Sequence, residues 1–214
     1  MHTDIPKILL INKPSGPTSH DIVDKVRRKT GVRRVGHAGT LDPFAEGLLV
    51  ILVGRESTKQ QKQFLDMDKE YIATIRFGAT SSTDDRTGEI TPASMAKPVL
   101  PLKLEETIAS FAGEYDQTPP AYSAKKINGK KAYEIARKGG RPNLKPKRVM
   151  IYSIETVECQ WPLLTIRCTV SSGTYIRALA RDIGIKLGCG AYVEALKRTA
   201  IGPYTLHDNN VITL

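Results

Sequence analysis

The stretch Gly36-His37-Ala38-Gly39-Thr40-Leu41-Asp42-Pro43-Phe44-Ala45-Glu46-Gly47, followed at once by Leu48-Leu49-Val50-Ile51-Leu52-Val53, constrains this chain more than any other. The apolar run predicts a buried strand. The dozen residues before it predict an irregular, glycine-rich loop. Asp42 precedes Pro43, so its backbone is pushed from the helical toward an extended conformation. Gly36, Gly39 and Gly47 allow angles and close approaches that other residues resist. An Asp-Pro pair often caps a helix, but Gly47 follows Asp42 after barely one turn and the strand then begins. The segment therefore predicts a loop that holds one carboxylate out toward a substrate.

The rest of the chain reads as a mixed α/β (α+β) arrangement in one continuous domain. Ile8–Ile11 predicts a short strand, and Asn12–Pro17 a turn-rich loop. Ser19 is a predicted N-cap for a helix from His20 to Lys29 that Gly31 ends. Ser57 is a predicted cap for a short helix through Phe64, and Tyr71–Phe77 alternates as a half-buried strand does. A polar loop at Thr80–Gly88 and a helix at Leu102–Phe111 follow. Asn128-Gly129 signals a turn, and a short helix is expected near Ala132–Arg137. Val149–Cys159 and Leu164–Val170 predict a hairpin around Trp161-Pro162. Thr174 is a predicted cap for a helix over Tyr175–Leu187, stopped by Gly188; Ala191–Ala200 reads as a late strand or an irregular segment. Strands outnumber helices and several are sequential neighbours, which predicts a mixed, largely antiparallel sheet with flanking helices.

At 214 residues and 40% apolar composition, the chain can bury a substantial core. No run is long enough to span a membrane, and the N-terminus lacks a basic-then-apolar signal, so a cytoplasmic protein is expected. Cys159, Cys168 and Cys189 are odd in number and lack C-x-x-C spacing, which points away from a disulfide framework and from a zinc site. Lysine and arginine number 32 against 22 acids, a net charge of +10. Between Lys125 and Arg148 there are 10 basic residues and one acid, Glu134. Charge localised in this way predicts a contact surface for a polyanion, with phosphate contacts and strong salt dependence.

Several residues stand out beside Asp42. Arg177 falls in the first turn of the predicted helix after Ser171-Ser172-Gly173-Thr174, where a cation faces the positive end of the helix dipole at a cost of about 0.3–1 kcal/mol. An anion nearby would offset that cost. Taken together, the Asp42 loop, Asn12-Lys13-Pro14-Ser15-Gly16-Pro17-Thr18-Ser19, Lys69-Glu70-Tyr71, Thr118–Lys125 with Gly129–Arg137, and Ser172-Gly173-Thr174-Tyr175-Ile176-Arg177 resemble the motifs of the TruB-type pseudouridine synthases. They occur in the family's order from Asn12 to about Arg198. The resemblance implies the pseudouridine synthase fold and conversion of uridine to pseudouridine at position 55, in the T-arm loop of tRNA, without cofactor or metal.

Carried over by motif, the resemblance makes Asp42 the catalytic carboxylate and pairs Arg177 with it. Such pairing would keep the acid ionised and aimed. It makes Tyr71 the flat partner of the flipped uracil, replacing stacking worth about 1–3 kcal/mol per base, and a candidate for removing the C5 proton. His37 would fill the gap left in the RNA loop, and Lys13 would support the loop that carries Asp42. Asp84 would position substrate, and Leu196 would close the pocket with an aliphatic contact. The basic segment, about residues 118–148, would be an insertion that folds over the T-loop, with Lys125, Lys130 and Arg137 among its RNA contacts. The expected protein is a monomeric single catalytic domain over 1–214 that lacks the C-terminal PUA-like RNA-binding domain of many relatives. A non-catalytic module that binds or folds structured RNA would explain the charge equally well. The two readings part at Asp42.

Overall fold

A computed structural model describes residues 7–93, 98–127 and 129–213. Along the chain run β1 (Ile8–Lys13), α1 (Ser19–Thr30), β2 (Val35–Ala38), β3 (Glu46–Val53), α2 (Arg55–Lys59), α3 (Gln61–Asp66), β4 (Lys69–Phe77), β5 (Ala79–Ser81) and β6 (Ile90–Pro92). Then follow α4 (Pro101–Ala109), β7 (Gly113–Gln117), β8 (Lys126–Ile127), β9 (Lys130–Lys131), α5 (Ala132–Arg137), β10 (Lys147–Gln160) and β11 (Leu163–Val170). The chain ends with α6 (Ile176–Leu187), β12 (Ala191–Ile201), β13 (Tyr204–Thr205) and β14 (Val211–Thr213). Two compact units result, one of residues 1–72 with 196–214 and one of 73–195. The chain passes between them within β4 and within β12.

In the first unit the strand order is β14-β1-β3-β12, with β2 also on β3 and β13 on β12. β3 pairs antiparallel with β1 and parallel with β12. Leu48 to Leu52 have no exposed surface, which is why this strand reads as an uninterrupted apolar run. Leu10, Leu48, Val50, Leu52, Phe64 and Ile201 pack into one core cluster. In the second unit the order is β4-β11-β10-β7, and β10 runs antiparallel to both β11 and β7. Two-stranded sheets β5-β6 and β8-β9 stand apart from that path. Phe77 stacks on Trp161 at 5.4 Å, and Ile75, Ile151, Leu164, Ile166 and Leu179 are buried. The strands are mixed and largely antiparallel, with helices beside them, as the sequence predicts.

Several local expectations change. The N-cap of α1 is Thr18, not Ser19: Thr18 Oγ1 accepts from the Asp21 amide, while the Asp21 carboxylate accepts from the Thr18 amide. This reciprocal box satisfies two donors at the helix start, and Ser19 becomes the first helical residue. Thr174 does not cap α6; its hydroxyl donates to Ser171 O, and the helix starts after Tyr175. The Gln117 side chain accepts from Tyr175 N and donates to Tyr175 O instead. Ser57 lies buried inside α2 rather than ahead of it. His37 lies on β2, opposite Ile51 of β3, and not in a loop; four residues are too few to show a period. Residues 191–201 form a full strand. Of the expected Asn128-Gly129 turn, Asn128 lies outside the described residues.

Candidate active site

Asp42 lies in a loop between β2 and β3 that forms one tight turn, closed by Ala45 N donating to Asp42 O at 3.1 Å. Leu41, Phe44 and Ala45 are buried on either side, while Asp42 is half-buried and Pro43 exposed. Apolar anchors thus bracket a polar tip. The stretch from the end of β1 to the start of α1 holds the loop. Lys13 Nζ donates to Pro14 O and Pro17 O at 2.9 Å and to Pro43 O at 3.3 Å. Gly16 N donates to Pro43 O at 2.8 Å, and Ser15 Oγ to Phe44 O at 2.9 Å. Ser19 Oγ donates to Leu41 O at 3.1 Å and accepts from Leu41 N at 2.9 Å.

Two fully buried cations belong to this unit. Lys13 has no exposed surface and Arg198 only 1%. Burial lowers the Lys13 pKa to about 8 against the pull of Asp42 and Glu46, and Arg198 lowers it further. Arg198 extends from β12, with Nε donating to Leu48 O at 2.8 Å and Nη2 to Gly39 O at 3.1 Å. One guanidinium thereby joins the strand after the loop to the residue that opens it. Burial, and then the charges of Arg198 and His20, hold the His37 imidazole below its usual pKa. Tyr71 is buried on β4 in this unit, two residues after Lys69. Lys69 Nζ donates to Phe64 O and Leu65 O at the end of α3 and anchors the start of the strand. Leu196 is buried on β12, on the same side as Arg198 two residues later.

The second unit holds Arg177 and Asp84. Arg177, on α6, is 5% exposed rather than pointing into water. Its Nη1 donates to Thr83 O at 2.8 Å and its Nη2 to Tyr122 O at 3.0 Å. In this unit the Asp85 carboxylate lies beside it, with Nη1 to Oδ2 at 3.4 Å and both side chains buried. Asp85 Oδ1 also accepts from Thr83 Oγ1 and Thr87 N at 2.8 and 2.9 Å. Asp84 turns the other way, to Arg181 at 3.0 Å, with φ of 60°, a left-handed conformation rarely taken outside glycine. Burial raises its pKa, while Arg181 and then Arg177 oppose the rise.

Lys125, Lys130 and Arg137 are exposed, as the contact-surface reading requires. Lys131 and Arg137 each lie 5.3 Å from the centre of the Tyr133 ring. Arg148 is already engaged by Asp116 at 2.9 Å and Glu114 at 3.2 Å across the β10–β7 pair. The positive surface is therefore smaller than the count along the sequence suggests. Sequence reasoning missed Asp85, Arg181, Arg198 and the role of Ser19. Asp85 had a signal, since it neighbours Asp84 in the same polar loop, and Arg198 had one in the alternation with Leu196. Among the described residues no group of three His, Cys, Asp or Glu side chains is arranged to hold a metal ion. None of the described helices is long and apolar enough to cross a membrane.

The fold is that of the pseudouridine synthases. Residues 27–176 match the model of the TruB family pseudouridylate synthase N-terminal domain, and residues 177–214 match the tRNA pseudouridylate synthase B C-terminal domain. The chain belongs to the TruB family. It is 48% identical over 202 residues to the tRNA pseudouridine synthase B of Thermotoga maritima, covering 94% of this chain and 65% of that protein. The protein of the same name from Protochlamydia amoebophila is 45% identical over 201 residues, covering 94% of this chain and 76% of that one. Among solved structures, a crystal structure of a Cbf5-Nop10-Gar1 complex contains a chain that superposes with a TM-score of 0.75 at 30% identity, over 97% of this chain and 52% of its own length. The chain thus spans about two thirds, or less, of the Thermotoga protein and of the solved chain.

Proposed function

We propose that this protein isomerises uridine to pseudouridine in the T-arm loop of tRNA, at position 55. The observation that carries the reading is the Asp42 loop: a half-buried acid bracketed by buried apolar residues and tied down by Lys13, Ser15, Gly16 and Ser19, in a chain of the TruB family. A carboxylate on such a loop cannot reach a stacked sugar carbon, so the target nucleotide must leave the stack, at a cost of a few kcal/mol. Asp42 then acts on the extruded nucleotide, and the bond from C1′ to N1 breaks. The base turns while still bound to the protein, C1′ joins C5, the C5 proton leaves and N1 gains one. Tyr71 is the proposed face for the uracil ring and the acceptor of the C5 proton. Arg177 is proposed as the cation that assists Asp42, His37 as the residue that fills the vacated place in the RNA loop, and Leu196 as an aliphatic wall.

Lys125, Lys130 and Arg137 are proposed to hold the phosphates of the T-arm, in keeping with their exposure. RNA of this kind is read through shape, backbone and splayed bases. The reading places the protein in the cytoplasm, as a monomer. In the test, Asp42→Asn leaves tRNA affinity within a few-fold of wild type and abolishes pseudouridine in a tRNA transcript. Turnover by that variant refutes the enzymatic reading. Full retention of RNA binding with no turnover by the wild type favours the non-catalytic module.

A further inference from the structure

Ser19 has the small polar side chain of a helix cap and does not cap. Thr18 already fills that position through its exchange with Asp21. Ser19 is 2% exposed, and its hydroxyl spends both its donor and an acceptor on one distant residue, Leu41, whose N and O lie 2.9 and 3.1 Å away. Those two bonds hold the peptide planes on either side of Leu41. The second plane, through Leu41 O, is the one that continues into Asp42. Beyond Asp42, Pro43 O and Phe44 O are held by Lys13, Gly16 and Ser15. The same stretch of chain therefore grips the loop before and after the acid.

We propose that Ser19 is a positioning residue for Asp42: its hydroxyl sets the direction in which the carboxylate leaves the loop. This rests on the proposed function, because the direction matters only if Asp42 meets a reacting nucleotide. The Leu41 side chain is itself buried, so losing the hydroxyl leaves the loop seated but frees the rotation of its last peptide plane. A displacement on the ångström scale at a reacting group is enough to cost about 100-fold in rate.

The experiment compares Ser19→Ala with Thr18→Ala. The latter removes the cap of the same helix and leaves Leu41 untouched. Three quantities are read: single-turnover pseudouridine formation at saturating tRNA, tRNA affinity, and hydrogen exchange at the Leu41 amide. Ser19→Ala is expected to lower the single-turnover rate about 10- to 100-fold, with affinity within a few-fold and exchange at Leu41 clearly faster. Thr18→Ala is expected to lower the melting temperature and keep the rate of the folded enzyme within about two-fold. Equal rate losses in the two variants, or unchanged exchange at Leu41 in Ser19→Ala, overturns the inference. A wild type that binds tRNA but forms no pseudouridine overturns the proposed function instead, whatever Leu41 does.

Discussion

Replacing Gly47 with alanine tests the construction of the loop and its strand together. Gly47 has φ of +105°, and a Cβ built on it would stand 2.3 Å from Arg198 O and 2.8 Å from Arg198 N. To reach the 3.0 Å that real Cβ atoms keep, β12 must move off β3 by about 0.7 Å. Neither neighbour is a flexible side chain that could swing away; both are backbone. An L-residue held at this φ costs about 1–3 kcal/mol. Opening the parallel Arg198–Gly47 pairing weakens about two further hydrogen bonds, each worth roughly 0.5–1.5 kcal/mol. Arg198 is drawn with its strand, away from Leu48 O and Gly39 O. The sum is about 4 kcal/mol, which for a chain of this length lowers the melting midpoint by about 8–16 °C. Urea titration of Gly47→Ala beside wild type, followed by circular dichroism, should show a lower midpoint at unchanged slope. A loss below about 1 kcal/mol would mean that β3 and β12 do not approach as described, and the account of the Asp42 loop would fail with it.

Lys13 makes stability depend on pH in a definite sense. Its folded pKa of about 8 lies below the ordinary 10.5, so the unfolded chain binds more protons between those values and the group's contribution rises with pH across that window. The unfolding free energy of wild type minus that of Lys13→Met should increase from pH 8 to pH 10; a flat or falling difference contradicts the burial of a charged Lys13. Asp85→Ala removes a buried ion-pair partner of Arg177 together with the acceptor of Thr83 Oγ1 and Thr87 N and should cost about 3–5 kcal/mol by urea titration, whereas Arg148→Ala, at an exposed pair, should cost less than about 1 kcal/mol. Similar losses in the two would show that burial does not separate them. Replacing Lys125, Lys130 and Arg137 together with alanine should flatten the log–log dependence of tRNA affinity on salt by about two to three units. Arg148→Ala should leave that slope alone, and an unaltered slope in the triple variant would place the RNA elsewhere.

Much of the frame was legible because it rests on local chemistry. The apolar run at Leu48–Val53 reads as a strand covered on both faces, and the glycine–proline pattern before it as a loop, although Gly36–Ala38 of that stretch belong to β2. Gly31 and Gly188 end α1 and α6 in the left-handed conformation that favours glycine. Cap positions were harder. Thr18 and Ser19 are both good caps, and the Asp21 carboxylate decides between them. In α6 a glutamine from β7, 58 residues earlier in the chain, supplants Thr174.

The sequence by itself determined the family, the strand-rich class, the acid-bearing loop and the concentration of positive charge, since each is written in residues adjacent along the chain. Only the tertiary structure decided where individual side chains spend their hydrogen bonds. It gave Ser19 to Leu41, Arg198 to Gly39 and Leu48, Arg177 to Asp85 rather than Asp84 within its unit, and Arg148 to the acids of β7. A buried donor must find an acceptor, but which one lies within reach depends on strand register and loop path. Those are settled by the packing of residues far apart in the chain.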